Sequence, residues 1–141
     1  PLEPDAQADA AAKPAEAAKY DKSGLSDSDI ERIWARLTRA MEEERLYMDP
    51  ELTLPGLAAA IEVSPNALSR VINSRAGRNF YDFINGHRVD AASAMLVEPA
   101  NDGRKMLDMA MEVGFKSQST FYNHFKKHCG MTPTQYRAAA H

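Results

Sequence analysis

The sequence has only one cysteine, Cys129, among its 141 residues, and it has no long apolar run. A single cysteine excludes an internal disulfide and fits a reducing compartment. A helix needs roughly 20 apolar residues to cross a bilayer, and no stretch of this sequence approaches that length. No signal peptide is visible either. We therefore expect a small domain that works in the cytoplasm.

Catalytic motifs are absent as well. The sequence contains no nucleophile elbow, no Gly-rich phosphate loop and no zinc-hydrolase motif. His124, His128 and Cys129 lie close together in the sequence, but two nearby imidazoles and a thiol fall short of a structural metal site. We predict that the protein is not an enzyme and that it holds neither a metal nor a cofactor.

Acidic side chains are missing from the end of the chain, where residues 116–141 contain no Asp or Glu. Residues 1–52 contain 7 basic against 13 acidic side chains, whereas residues 53–141 contain 10 against 7. The formal net charge of −3 therefore hides a local basic region. A basic region of this kind favours a polyanionic partner such as nucleic acid.

The amino-terminal part of the chain divides into two segments. Residues 1–24 are rich in Ala and Pro and have no apolar face, so we expect a flexible tether. Residues 25–49 predict an amphipathic helix, because apolar residues recur there at helical spacing. Ser28 and Glu31 have the form of a capping box at its start.

Residues 50–78 predict a helix-turn-helix. Thr53 is a suitable cap for a short apolar helix, and Ser64-Pro65 signals the start of a second one. Gly77 suits the end of this second helix. Two short helices joined by a tight turn have the form of this motif.

A single longer helix is predicted over residues 79–98, with Asn79 as its cap and Glu98-Pro99 at its end. At 1.5 Å per residue, a straight helix over residues 79–97 spans roughly 28 Å. Reading helices in successive major grooves lie about 34 Å apart. The length of this linker therefore suits two DNA-binding units on one duplex.

Residues 99–141 return to the earlier pattern. A short apolar helix ends near Gly114, and a second helix runs between Ser117 and Gly130. Thr132-Pro133-Thr134-Gln135 then has the form of a capping box that opens a last helix.

The two patterned regions match at a fixed offset of 53 residues. The matched pairs are Ser64 and Ser117, Leu68 and Phe121, Ile72 and Phe125, and Gly77 and Gly130. No strand pattern appears in the sequence. The predicted fold is therefore all-α, with two helix-turn-helix units joined by a long linker helix and an extra amphipathic helix at the amino terminus.

The second helix of each unit carries hydrogen-bonding side chains outside its apolar stripe. These are Asn66, Ser69, Arg70 and Asn73 in the first unit, and Gln118, Ser119, Tyr122, Asn123 and Lys126 in the second. Amide side chains pair with adenine edges in the major groove, and arginine pairs with guanine. Flanking cations suit the phosphates, namely Arg75, Arg78, Lys116, Lys127 and Arg137. The sequence thus predicts binding to double-stranded DNA.

Two stretches also carry a resemblance to a known family, FYDFINGHRVDAASAMLVEP and AMEVGFKSQSTFYNHFKKHCGMTPTQYR. They resemble the DNA-binding domain of the AraC family of bacterial transcription regulators, including its Gly-Phe, Phe-x-x-x-Phe-Lys, Gly-x-Thr-Pro and Tyr-Arg elements. The resemblance implies sequence-specific binding to promoter DNA and control of transcription, most often activation through RNA polymerase.

By this resemblance, the base-reading positions are Asn66, Ser69, Arg70, Gln118, Ser119, Thr120, Tyr122 and Asn123. We assign contacts with the DNA backbone to Asn73, Arg75, Arg78, Lys116, Ser117, Lys126, Lys127 and Arg137. Asn85 and Arg88 match linker-helix residues that look structural in the family.

The region before the first unit resembles the lead-in of a branch of the family that has a multi-helix membrane domain upstream. On that interpretation the chain is the cytoplasmic output part of a membrane-bound sensor. A soluble upstream ligand domain and a free-standing regulator stay open as alternatives. We expect the isolated domain to be monomeric.

A protein-interaction module is the alternative function. Its partner surface would be the helix that carries Trp34, or the run of Met106, Met109 and Met111. Salt distinguishes the two functions, because phosphate contacts weaken steeply with added salt whereas apolar contacts do not.

Overall fold

The computed structural model describes residues 24–140, and every regular element in that range is helical. The predicted tether lies outside the described residues except for Gly24. The α-helices are α1 (Asp27–Glu42), α2 (Leu54–Ala60), α3 (Pro65–Ala76), α4 (Phe80–Leu96), α5 (Met106–Glu112), α6 (Gln118–Cys129) and α7 (Pro133–Ala140). Short 3-10 turns cover Leu46–Met48 and Pro99–Asn101. The all-α prediction is confirmed.

The described chain forms two compact units whose boundaries differ from the five predicted segments. Among residues 24–140, the first unit holds 24–46 together with 51–83, and the second holds 47–50 together with 84–140. The predicted linker helix is therefore divided between the units. The short segment 47–50 leaves the first unit and belongs to the second, which the sequence did not indicate.

In the first unit, α1 packs against α3, and α2 packs against α3 as well. The inward face of α1 buries Ile33, Leu37 and Met41. Trp34, on the same helix, lies with its ring centroid 6.0 Å from that of Phe83. The amphipathic helix predicted over 25–49 is thus a packing element of the first helix-turn-helix.

The amino-terminal cap of α1 corrects one prediction. Ser26, and not Ser28, is the cap, because Ser26 keeps an extended backbone while Ser28 already lies within the helix. The Ser26 hydroxyl accepts from the amide of Asp29 at 3.1 Å, and an Asp29 carboxylate oxygen accepts from the amide of Ser26 at 3.3 Å. The hydrogen bond from Ser26, followed by that from Arg32, lowers the pKa of Asp29. The capping box therefore lies two residues earlier than predicted.

The repeat predicted from the sequence is present as a repeated structural frame. Ser64 accepts from the amide of Ala67 at 3.1 Å, and Ser117 accepts from the amide of Thr120 at 3.2 Å. Gly77 and Gly130 end α3 and α6 in the left-handed region, with φ of 66° and 77°. The paired apolar side chains are fully buried, and they are Leu68, Ile72, Phe121 and Phe125.

The second unit has an aromatic core. The rings of Phe121 and Phe125 are 5.6 Å apart, and Phe125 lies 5.3 Å from Tyr136 of α7. Buried residues of α4 and α5 complete the cluster, namely Val89, Ala92, Leu96, Met109, Ala110 and Val113. The predicted capping box at Thr132 and Gln135 also forms, with bonds of 3.1 and 3.0 Å. Among residues 24–140, no helix is long and apolar enough to span a bilayer.

Candidate nucleic-acid interface

The outer face of α3 holds fewer polar side chains than predicted. Arg70 and Asn73 are exposed and Ser69 is half-buried, whereas Asn66 is only 5% exposed. Asn66 lies in the first turn of α3, directly before the buried Ala67, and points into the first unit. Its burial does not suit the predicted contact with a base edge, and we do not count it among the candidate base-contacting residues. Asn73 Nδ2 donates to the carbonyl oxygen of Ser69 at 3.0 Å.

The outer face of α6 keeps most of its predicted residues. Gln118, Ser119 and Asn123 are exposed, and Tyr122 is half-buried. These four side chains line one open depression on the surface of the helix. All four carry an amide or hydroxyl group, and no carboxylate lies among them. Such a surface can donate to and accept from base edges.

Thr120 belongs to the cap of α6. Its side chain is half-buried, and its Oγ1 accepts from the Ser117 hydroxyl at 2.9 Å. The backbone amide of Thr120 donates to the same Ser117 oxygen. Thr120 and Ser117 therefore fix the start of the helix, and their hydroxyls are hydrogen-bonded to each other.

Tyr122 has a contact that the sequence analysis missed. Its phenol oxygen lies 3.3 Å from Oγ1 of the exposed Thr134, the second residue of α7. The edge of its ring packs against Phe121, with centroids 5.8 Å apart. Thr134 is thus the residue that can orient Tyr122. The sequence signal at this position was only a capping box, which gave no hint of the contact.

The predicted phosphate-binding cations fall into two groups. Arg78, Lys116, Lys126 and Lys127 are exposed. Arg75 is exposed as well, but it pairs with Glu31, and its guanidinium lies 5.5 Å above the Trp34 ring. Arg137 donates to the carbonyl oxygen of Arg104 at 3.2 Å. Arg75 thus joins α3 to α1, and Arg137 joins α7 to Arg104, two residues before α5.

The imidazoles and the thiol of α6 lie on its inner side. His124 is buried at the position equivalent to Val71 of α3, and its ring stacks on Phe115 at 6.2 Å. Burial, followed by the negative charge of Asp90, raises the pKa of the Cys129 thiol. The positive charges of the nearby lysines therefore do not lower the pKa of Cys129 enough to favour the thiolate. Within residues 24–140, no group of three His, Cys, Asp or Glu side chains is placed to hold a metal ion.

The surfaces considered for a protein partner are small. Trp34 is half-buried between Phe83 and Arg75. Met109 is fully buried in the second core, whereas Met111 is 55% exposed. Leu107 is the other exposed large apolar side chain of α5. The methionine run is therefore divided between core and surface.

Comparisons with known proteins add to this geometry. Residues 57–139 match a family described as a helix-turn-helix domain. The melibiose operon regulatory protein of Escherichia coli (strain K12) is 29% identical over 89 residues, which are 63% of this chain and 28% of that protein. The chain therefore spans less than a third of the length of this relative.

Solved structures share the fold. The C-terminal domain of AraT, a response regulator from Geobacillus stearothermophilus, is 29% identical with a TM-score of 0.59, over 82% of this chain and 87% of that one. The DNA-binding domain of AdpA, a global transcriptional factor solved in complex with a target DNA, is 25% identical with a TM-score of 0.62. The match covers 76% of this chain and 90% of that domain.

Proposed function

This chain belongs to the AraC-type family of helix-turn-helix domains, and we propose that it binds promoter DNA in a sequence-specific manner and regulates transcription. Each unit places the second helix of its motif in a major groove, α3 in the first unit and α6 in the second. The similarity to a domain solved with its target DNA supports this proposal.

The outer surface of α6 is the observation that carries the proposal. An ordinary solvated helix shows pairs of acidic and basic residues, but α6 contains no acid. Its exposed face offers amide and hydroxyl groups at Gln118, Ser119 and Asn123. Lys126 and Lys127 follow at the carboxyl-terminal end, both exposed. A DNA-reading helix is expected to carry polar groups that can hydrogen-bond to base edges, with cations beside them that can contact phosphates.

The roles of individual residues follow from their exposure. The base-reading side chains are Ser69, Arg70, Gln118, Ser119, Tyr122 and Asn123. The phosphate-binding ones are Asn73, Arg78, Lys116, Lys126 and Lys127. Thr120 and Ser117 contribute by fixing the start of α6, whose amides lie beside the groove. Arg75 and Arg137 act through the stability of their own units.

In this proposal the chain is the output part of a larger regulator. An upstream sensor domain, of membrane-bound or soluble type, belongs to the same proposal. The regulator acts in the cytoplasm, where the promoter is, and works by contact with RNA polymerase. The isolated chain binds as a monomer, because each of its two units supplies one reading helix.

The experiment that tests the proposal is a selection of bound duplexes from a randomised pool, followed by affinity measurements against salt. We expect two enriched sequence elements and a steep decrease of affinity with added salt. The logarithm of the association constant should fall against the logarithm of the salt concentration with a slope of about −0.9 per neutralised phosphate. The double variant Gln118→Ala/Asn123→Ala should lose the element read by α6. Met111→Ala, which changes an exposed residue outside the reading face, is the matched control and should keep both. Binding without enrichment, or affinity that salt does not change, would contradict the proposal.

A further inference from the structure

Residues 47–50 connect elements of the first unit, yet they lie in the second. Arg88, on α4, is only 4% exposed. Its Nη1 donates to Oδ1 of Asn85 on the same helix at 2.9 Å, and two further acceptors lie in this segment. Its Nε donates to the carbonyl oxygen of Tyr47 at 2.7 Å, and its Nη2 donates to that of Asp49 at 2.9 Å. A buried cation without acceptors is strongly unfavourable, so Arg88 needs these acceptors, two of which belong to the segment.

The turn between α5 and α6 lies directly against the same segment. Gly114 in this turn has φ of 111°, and a Cβ added there would lie 2.5 Å from the Tyr47 carbonyl oxygen. The same atom would lie 2.6 Å from Arg88 Nε and 3.2 Å from the Met48 carbonyl oxygen. Only glycine fits this close approach. The turn that precedes the reading helix is therefore in contact with backbone that comes before the first helix-turn-helix.

Aromatic side chains continue this contact to α6. The guanidinium of Arg88 lies 5.9 Å above the ring of Phe115, which directly follows Gly114. Phe115 is buried, and its ring centroid is 5.3 Å from that of Phe121 in α6. On the other side, the buried Tyr47 stacks on His87 at 5.8 Å. A continuous set of packed groups thus joins residues 47–50 to the reading helix.

We propose that residues 47–50 are a part of the second DNA-binding unit, and that Arg88 and Gly114 are positioning residues that hold them against the turn before α6. The region that matches the family begins at residue 57, so it omits the segment that supplies two of the acceptors of Arg88. The second reading helix therefore depends on chain that lies upstream of the first one. Of the tests that follow, only the DNA-binding measurement rests on the proposed function; the hydrogen-exchange measurements do not.

The first test is hydrogen exchange in the 141-residue chain without DNA. Gly114→Ala should accelerate exchange about tenfold or more, both at residues 47–49 and at residues 113–117. Gly130→Ala is the matched control, because Gly130 also has a positive φ but has nothing within 4 Å of an added Cβ. This control should accelerate exchange only near residue 130. If Gly114→Ala left residues 47–49 unchanged, the segment would not be held by the turn and the inference would fail.

A milder variant keeps the test decisive if Gly114→Ala does not fold. Arg88→Lys keeps the charge, but an ammonium group does not reproduce the fork that reaches two carbonyls. We expect faster exchange at both sites, with α2 and α3 unchanged. Equal acceleration throughout the chain would indicate a general loss of stability and overturn the positioning role.

The second test uses the two elements found by duplex selection. Arg88→Lys should weaken binding through the element read by α6 about tenfold, and leave binding through the element read by α3 within about twofold. An equal loss on both elements would contradict the inference. If the unchanged protein selects no element, the proposed function fails, while the exchange experiment still decides whether Arg88 and Gly114 hold the segment.

Discussion

The phenol oxygen of Tyr122 and Oγ1 of Thr134 are 3.3 Å apart, and their contact joins the outer surface of α6 to the first turn of α7. The position of α7 is fixed independently by the buried Pro133 and by the packing of Tyr136 on Phe125. Thr134 is therefore a fixed point from which the orientation of Tyr122 is set.

Thr134→Val removes this hydroxyl and keeps the shape of the side chain. We expect binding to a selected duplex to weaken by about 0.5–1 kcal/mol, the lower range for one hydrogen bond, since the contact is exposed. Fluorescence anisotropy titrations measure this change. Thr134→Ser keeps the hydroxyl and should bind like the unchanged protein. A similar loss in both variants would show that the hydroxyl does not orient Tyr122.

Arg70 and Lys127 should respond differently to truncation, although both are exposed cations. Arg70→Ala should cost about 1–3 kcal/mol on the selected duplex and relax the preference at one position, because it removes a contact to a base. Lys127→Ala should weaken binding to every sequence evenly and reduce the salt slope by about one. Titrations on selected and scrambled duplexes measure both effects. An even loss from Arg70→Ala on all sequences would refute its base-reading role.

Met109 and Met111 lie on the same helix and differ in burial, so they form a natural pair for measuring stability. Met109 is 0% exposed, and Met109→Ala should lower the free energy of unfolding by about 2–5 kcal/mol. Met111 is 55% exposed, and Met111→Ala should change it by no more than about 0.5 kcal/mol. Urea denaturation gives both values. A large loss at Met111 would indicate that its side chain is covered in solution, and so revive the partner-surface hypothesis.

The raised pKa of Cys129 predicts slow alkylation of the native protein. The thiolate is the reactive form, and burial together with the charge of Asp90 favours the neutral thiol. The alkylation rate should therefore rise at a higher pH in the folded chain than in the same chain unfolded in urea. Asp90→Asn should shift the native profile toward lower pH. A native profile that coincides with the unfolded one would contradict this prediction.

The frame of the fold could be predicted from the sequence because its signals are local. A capping serine, an apolar stripe and a terminal glycine together define each reading helix, and Ser64 and Gly77 serve as predicted. The cap of α1 was placed wrongly, because Ser26 and Ser28 each have an acidic residue three positions later. Only the backbone conformation shows which of these two overlapping capping boxes forms.

The candidate site was less predictable because exposure depends on long-range packing. Asn66 has the residue type of a base contact, yet the start of α3 turns it inward. Arg75 has the residue type of a phosphate contact, yet it meets Glu31 and Trp34, which lie on another helix. The contacts of Arg88 with residues 47 and 49 span 41 and 39 positions, beyond the reach of any periodic pattern.

In each unit the residues that hold α3 or α6 in place are almost entirely different from the residues on its outer surface. The serine cap, the buried pair and the left-handed glycine recur in both units, whereas the exposed side chains of the two helices differ. Substitutions at exposed positions of this kind usually change the free energy of unfolding by no more than about 0.5 kcal/mol. Under the proposed function, the DNA sequence that each helix reads is therefore set by side chains that contribute little to the stability of its unit.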